Sequence, residues 1–93
     1  MRIDEIIRSG RCTIVDVRSV GEFETGHAPG SINIPLYELP DRLEEIKTLQ
    51  GPLVLCCASG NRSGQARYFL SDLGIECLNG GSWLEIEYLK RSA

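Results

Sequence analysis

The sequence has no long apolar run. Nothing in its 93 residues approaches the roughly 20 consecutive apolar positions that a membrane-spanning helix needs. Its opening, Met1-Arg2-Ile3-Asp4-Glu5, is charged and lacks the apolar core of a secretion signal. No membrane partner is expected, and a cytoplasmic location is. Positive charge is also in short supply. Ten Lys and Arg stand against 13 Asp and Glu, for a net charge of -3, and the basic residues form no stripe. That balance disfavours nucleic acid or an anionic surface as a partner. There is one histidine and no Cys-x-x-Cys pair. His27 has no cysteine at ligand spacing, which argues against a zinc site. The four cysteines, Cys12, Cys56, Cys57 and Cys77, come without a secretion signal and read as free thiols rather than disulfides. Repeats, low-complexity tracts and linkers are absent as well.

What is present suits a small globular protein. A content of 42% hydrophobic and 25% charged residues argues against disorder. The length fits one domain, residues 1–93, with a modest core. Ile3, Ile6 and Ile7 predict a short helix from Ile3 to Ser9, stopped at Gly10. The β-branched run Cys12 to Val17 predicts a buried strand. Val20 to Thr25 forms one or two helical turns closed by Gly26, and Gly26-His27-Ala28-Pro29-Gly30 is a turn. Ser31 to Ile34 reads as a short strand ended by Pro35. Leu39, Leu43, Ile46 and Leu49 recur at helical spacing, with Pro40 in the first turn. Leu53 to Cys56 is the central strand. Ala66, Phe69, Leu70 and Leu73 form one face of a helix, with Ser63 as its N-cap and Gly74 as its stop. Ile75 to Leu78 predicts another strand and Asn79-Gly80-Gly81 a turn. Trp83, Ile86 and Leu89 are the apolar stripe of a last helix, Trp83 serving the core. Strands alternating with helices imply a mostly parallel α/β sheet covered on both faces.

The chemistry gathers at Cys56-Cys57-Ala58-Ser59-Gly60-Asn61-Arg62-Ser63. A buried strand ends in a thiol, a loop of small residues follows, and a helix begins. Amides of such a loop can turn inward, and the helix start adds partial positive charge. Both favour a thiolate, and Arg62 is expected to push the same way. Gly60 supplies a positive φ where a tight cradle needs one. Successive strand residues face opposite sides, so Cys56 reads as a buried apolar residue and Cys57 as the nucleophile. Cys12 and Cys77 lie within strand patterns and read as inert. Asp16 and Arg18 close the first strand, at the edge where parallel sheets place their ligands. Asp16 fits equally as a cap or turn acceptor. His27 is a candidate general base by residue type, but no Ser or Cys adjoins it, and it reads as a hydrogen-bonded turn residue.

Taken in order, Asp16-Val17-Arg18, Glu22-Phe23, Gly26 through Pro35, Cys57 through Ser63, and Gly80-Gly81 followed by Trp83 make the chain resemble a single-domain rhodanese, a sulfurtransferase. The resemblance runs over nearly the whole sequence. It implies a three-layer α/β sandwich with a central, mostly parallel five-stranded sheet flanked by helices. It makes Cys57 the catalytic nucleophile, which accepts a sulfane sulfur from thiosulfate or a persulfide and passes it to cyanide or a thiol, including a thiol on a protein partner. Ala58, Ser59, Gly60, Asn61, Arg62 and Ser63 would hold the persulfide. Asp16 would brace the loop, and Arg18 would line its mouth. No cofactor or metal is implied. One departure stands out: the residue after the nucleophile, often cationic in thiosulfate-using members, is Ala58. Less positive charge weakens capture of a dianion. A tyrosine-phosphatase-like reading is opposed by a loop one residue too short between Cys57 and Arg62, and by Cys56 standing where those enzymes carry histidine. Two readings stay open beside the enzyme: a non-catalytic rhodanese-like module and a protein-partnered sulfur relay.

Overall fold

A computed structural model of the protein describes residues 2–92. Met1, which opens the charged N-terminal stretch, and Ala93 lie outside the described residues. The elements are helix α1 (Ile3–Ser9), strand β1 (Thr13–Asp16), helix α2 (Val20–Thr25), strand β2 (Ile32–Asn33), a 3-10 helix (Leu36–Arg42) running into α3 (Leu43–Lys47), strand β3 (Leu53–Cys57), helix α4 (Asn61–Asp72), strand β4 (Cys77–Ser82) and helix α5 (Trp83–Arg91). The sheet order is β2-β1-β3-β4, and every pairing is parallel. No helix of the described residues is long and apolar enough to cross a membrane.

Alternation along β3 explains the layers. All five of its residues are buried, which a strand in the middle of a parallel sheet requires. Leu53, Leu55 and Cys57 join Val15, Val17, Ile34, Leu39, Ile46, Ala66 and Leu70 on one face, under α4 and the 3-10/α3 segment. Val54 and Cys56 join Ile6, Ile7, Ile14, Ala28 and Ile86 on the other, under α1 and α5. Adjacent cysteines thus enter different cores.

Four details differ from the expectations. The described sheet has four strands, not five. Only four runs of the sequence have strand character, and the segment before β1 is taken up by α1. The stretch from Leu36 begins as a 3-10 helix that contains Pro40, and α-geometry starts at Leu43. Helix α4 starts at Asn61, with Gly60 as its N-cap at φ +100, so Ser63 lies inside the first turn and its hydroxyl is free for other work. Asn79-Gly80-Gly81 is no turn but the middle of β4. The register slips there, so that Leu55 faces Asn79 and Cys56 faces Gly81, which makes Gly80 the extra residue of a bulge. A Cβ on Gly80 would stand 2.7 Å from Ile86 Cδ1, 2.8 Å from Val54 Cγ1 and 3.1 Å from the Leu55 carbonyl. Close approach of strand and helix, rather than chain reversal, demands glycine here.

Candidate active site

Strand β3 delivers Cys57 to the C-terminal edge of the sheet, and the chain folds back over its sulfur. The Gly60 N–H donates to Cys57 Sγ at 3.0 Å and the Ser63 N–H at 3.4 Å. The Ser63 hydroxyl lies 3.4 Å from the same sulfur. That hydroxyl has a single proton, and Asn79 Oδ1 competes for it at 2.7 Å. The two amides have no such competitor. Asn79 also donates through Nδ2 to the Gly60 carbonyl at 3.0 Å and accepts from the Gly81 N–H at 3.0 Å. One β4 side chain therefore clamps both ends of the turn that covers the thiol.

The balance of effects on Cys57 favours the anion. Cys57 is only 1% exposed, and this burial pushes the thiol up. Hydrogen bonds from the Ser63 hydroxyl and from the amides of Ser63, Gly60 and Ser59 outweigh burial and bring it down from 9.0 to about 7. The start of the 12-residue helix α4 adds its dipole at the same point. Cys56 has no such donors. Burial, and then the charge of Asp16, push it up to about 12. Cys12 is half-buried and also raised by burial, while Cys77 is buried with its Sγ 3.7 Å from the Arg67 carbonyl.

Around the sulfur, Ala58, Ser59 and Asn61 are exposed, Gly60 and Arg62 are half-buried, and Ser63 is buried. Arg62 makes its hydrogen bonds to Glu22 and reaches the thiol only through charge. Its Nη1 and Nη2 grip Glu22 at 2.7 and 2.9 Å, and the thiol's downward shift comes from hydroxyl and amide donors. Glu22 is in turn fixed by a capping box at the start of α2. The Ser19 N–H and hydroxyl donate to Oε1 at 3.1 and 3.0 Å, and the Glu22 N–H returns a bond to Ser19 Oγ at 3.3 Å. Arg62 first, then Ser19, hold the Glu22 carboxyl down at about 2.

Asp16 and Arg18 form a separate, buried unit. Arg18 Nε donates to both Asp16 oxygens at 3.0 Å, and its Nη2 donates to Oδ2 at 2.8 Å and to the Gly26 carbonyl at 2.6 Å. The guanidinium lies 4.6 Å from the centre of the Trp83 ring. Among the described residues no hydrogen bond joins either side chain to the Cys57 loop. The hydrogen bonds that steady the loop come from Asn79 and Glu22, two residues to which sequence reasoning gave no role. Glu22 was visible only as half of a short Glu-Phe signature, and Asn79 was absorbed into a supposed turn. His27 is exposed. Its Nδ1 donates to the Phe23 carbonyl at 2.8 Å, and its ring stacks on Phe23 at 3.7 Å, which spends it on its own turn. A groove of about 560 Å³ bounded by Ile6, Ser9, Arg11, Pro52 and Glu76 opens at the other end of the strands, away from the thiol.

A parallel α/β sheet with a thiolate-stabilising loop between its central strand and a helix defines a class of cysteine-centred, anion-cradling domains. Comparison with known proteins makes this particular. The model of the rhodanese-like domain family matches residues 2–83, and the chain belongs to that family. It is similar to the uncharacterised protein YqhL of Bacillus subtilis, 41% identical over 83 residues, a match covering 84% of this chain and 65% of YqhL. It is also similar to thiosulfate sulfurtransferase PspE of Escherichia coli, 34% identical over 61 residues, covering 64% of this chain and 59% of PspE. The chain thus spans somewhat less than two thirds of these relatives. Among solved structures, a rhodanese-related protein of Thermoplasma volcanium superposes with a TM-score of 0.73 at 38% identity, covering 87% of this chain and 82% of that one.

Proposed function

We propose that the protein is a sulfurtransferase that carries a sulfane sulfur on Cys57. The Cys57 thiolate attacks the outer sulfur of a donor. The donor's S–S bond breaks, its remaining sulfur fragment leaves with the electron pair, and a persulfide forms on Cys57. The amides of Ser59, Gly60 and Ser63 that favour the thiolate would then favour the persulfide anion, with Ala58 and Asn61 facing the incoming reactants. A thiol or cyanide takes the outer sulfur and restores the thiolate. Arg62 would stand at the mouth with Glu22 as its partner, and Asp16 would hold Arg18 buried against Trp83. The sulfurtransferase name of PspE agrees with this reading.

The observation that carries the proposal is the pair of backbone N–H groups on Cys57 Sγ, at 3.0 and 3.4 Å. Amides so aimed bind a thiolate much more strongly than a thiol, whose sulfur is only a weak acceptor. Intact-mass analysis after exposure to thiosulfate or to a low-molecular-weight persulfide tests it. A gain of one sulfur is expected in the native protein and in Cys56→Ser, and none in Cys57→Ser. A gain that survives Cys57→Ser, or no gain from any donor, rejects the assignment.

A further inference from the structure

We infer that Glu22 is a specificity-determining residue: by neutralising Arg62 at the loop, it turns the site toward sulfur donors carrying one negative charge and away from those carrying two. The inference rests on the Cys57 persulfide reading.

Two arginines lie at the same end of the sheet as the thiolate, Arg62 coupled to it through charge, and each is matched with a carboxylate. Arg18 is bound to Asp16, and both are buried. Arg62 is bound to Glu22 through both terminal nitrogens. Bidentate geometry of this kind is the strongest a guanidinium makes with a carboxylate. Neither partner of the second pair drifts freely, since Ser19 pins Glu22 through backbone and hydroxyl. Each pair sums to zero, and the thiolate itself contributes a negative charge. An incoming anion finds partial positive charge in the amides and the helix start, but a full guanidinium only by displacing Glu22. A dianion such as thiosulfate meets this obstacle, and repulsion from the thiolate, with twice the charge of a monoanion.

Thiosulfate and methanethiosulfonate probe this directly. Both carry a terminal sulfur on a fully oxidised sulfur, and a methyl group in one replaces an anionic oxygen in the other. With thiosulfate, the Cys57 thiolate takes the terminal sulfur as the S–S bond breaks, and sulfite departs with the electron pair. With methanethiosulfonate the same bonds form and break, and methanesulfinate departs. Each leaves Cys57 as its persulfide anion. The readout is the ratio of single-turnover loading rates, thiosulfate over methanethiosulfonate, at low ionic strength.

Glu22→Gln keeps the side-chain length and the Ser19 cap while removing the charge. The ratio is expected to rise about 3- to 10-fold, with the gain shrinking as salt is added. The double variant Glu22→Gln/Arg62→Gln carries neither charge, and its ratio is expected within about 2-fold of native, because the native pair is already neutral. A general loss of loop structure would slow both donors together and leave the ratio alone. An unmoved ratio in Glu22→Gln while Cys57 still loads overturns the inference and spares the persulfide reading. So does a double variant far below native, which would mean that Arg62 already serves the dianion. Failure of both donors to load native Cys57 rejects both.

Discussion

One peptide bond separates Cys56, pushed up to about 12, from Cys57, brought down to about 7. Burial acts on both. The difference is that strand alternation points one thiol into the α1/α5 core and the other under a turn rich in N–H donors. The direction of the shift fixes a pH profile. A lowered thiol is protonated below about 7, so its alkylation rate falls about tenfold per pH unit there and levels off above. Iodoacetamide modification of native protein and of Cys56→Ser should show that profile, with a midpoint near 7; a midpoint near 9 would show that the amides fail to outweigh burial. Ser63→Ala should move the midpoint upward by no more than about one pH unit, since the hydroxyl proton is shared with Asn79 while the amides stay.

At the scale of elements, β4 does more than complete the sheet. Its bulge lets Gly80 touch Ile86, Val54 and the Leu55 carbonyl, and sets Asn79 against Gly60 and Ser63. Gly80→Ala inserts a methyl group where the neighbouring atoms leave no space, and should cost about 1–3 kcal/mol of stability in chemical denaturation. Gly21→Ala in α2 is the control. Nothing lies within 4 Å of its added Cβ, and stability should hold or rise. Equal losses at the two positions would contradict the packing argument. This is also where sequence reading met its limit. Glycine marks turns and close contacts alike, and only Ile86 and Val54, remote in sequence, decide between them. The Arg62–Glu22 pair was hidden for a similar reason, because 40 positions separate its members and no local pattern links them. The supposed N-cap at Ser63 failed differently, since Gly60 in the left-handed region had already started the helix.

Over the whole molecule, the layers were legible because periodicity reports them. The runs at Cys12–Val17, Ser31–Ile34, Leu53–Cys56 and Ile75–Leu78 each contain an observed strand or its start, and the apolar faces of α1, α4 and α5 fall as their spacing implied, except that Leu73 follows α4 as its C-cap and is exposed. The fifth strand came from resemblance alone, and no residue run supports it. The Asp16–Arg18 pair joins parts that no single element unites: the end of β1, the turn at Gly26 and Trp83 at the start of α5. Asp16→Asn leaves a guanidinium buried without its counterion, and should destabilise the protein by about 3–5 kcal/mol in urea or guanidinium melts. That is a large share of the roughly 5–15 kcal/mol that holds a domain together. Asp16→Asn/Arg18→Leu should recover part of the loss, and no recovery would mean that the charge itself was not the cause.

The residues that loosen the proton on Cys57 are also its roof, for Cys57 is 1% exposed beneath the turn whose amides reach its sulfur. Reactivity and reach are therefore tied. A variant that draws the turn closer sharpens the anion and narrows the opening, and one that lifts the turn admits bulkier reagents to a duller sulfur. Selection on this loop can move along that line but cannot leave it without rebuilding Asn79's hold from the neighbouring strand.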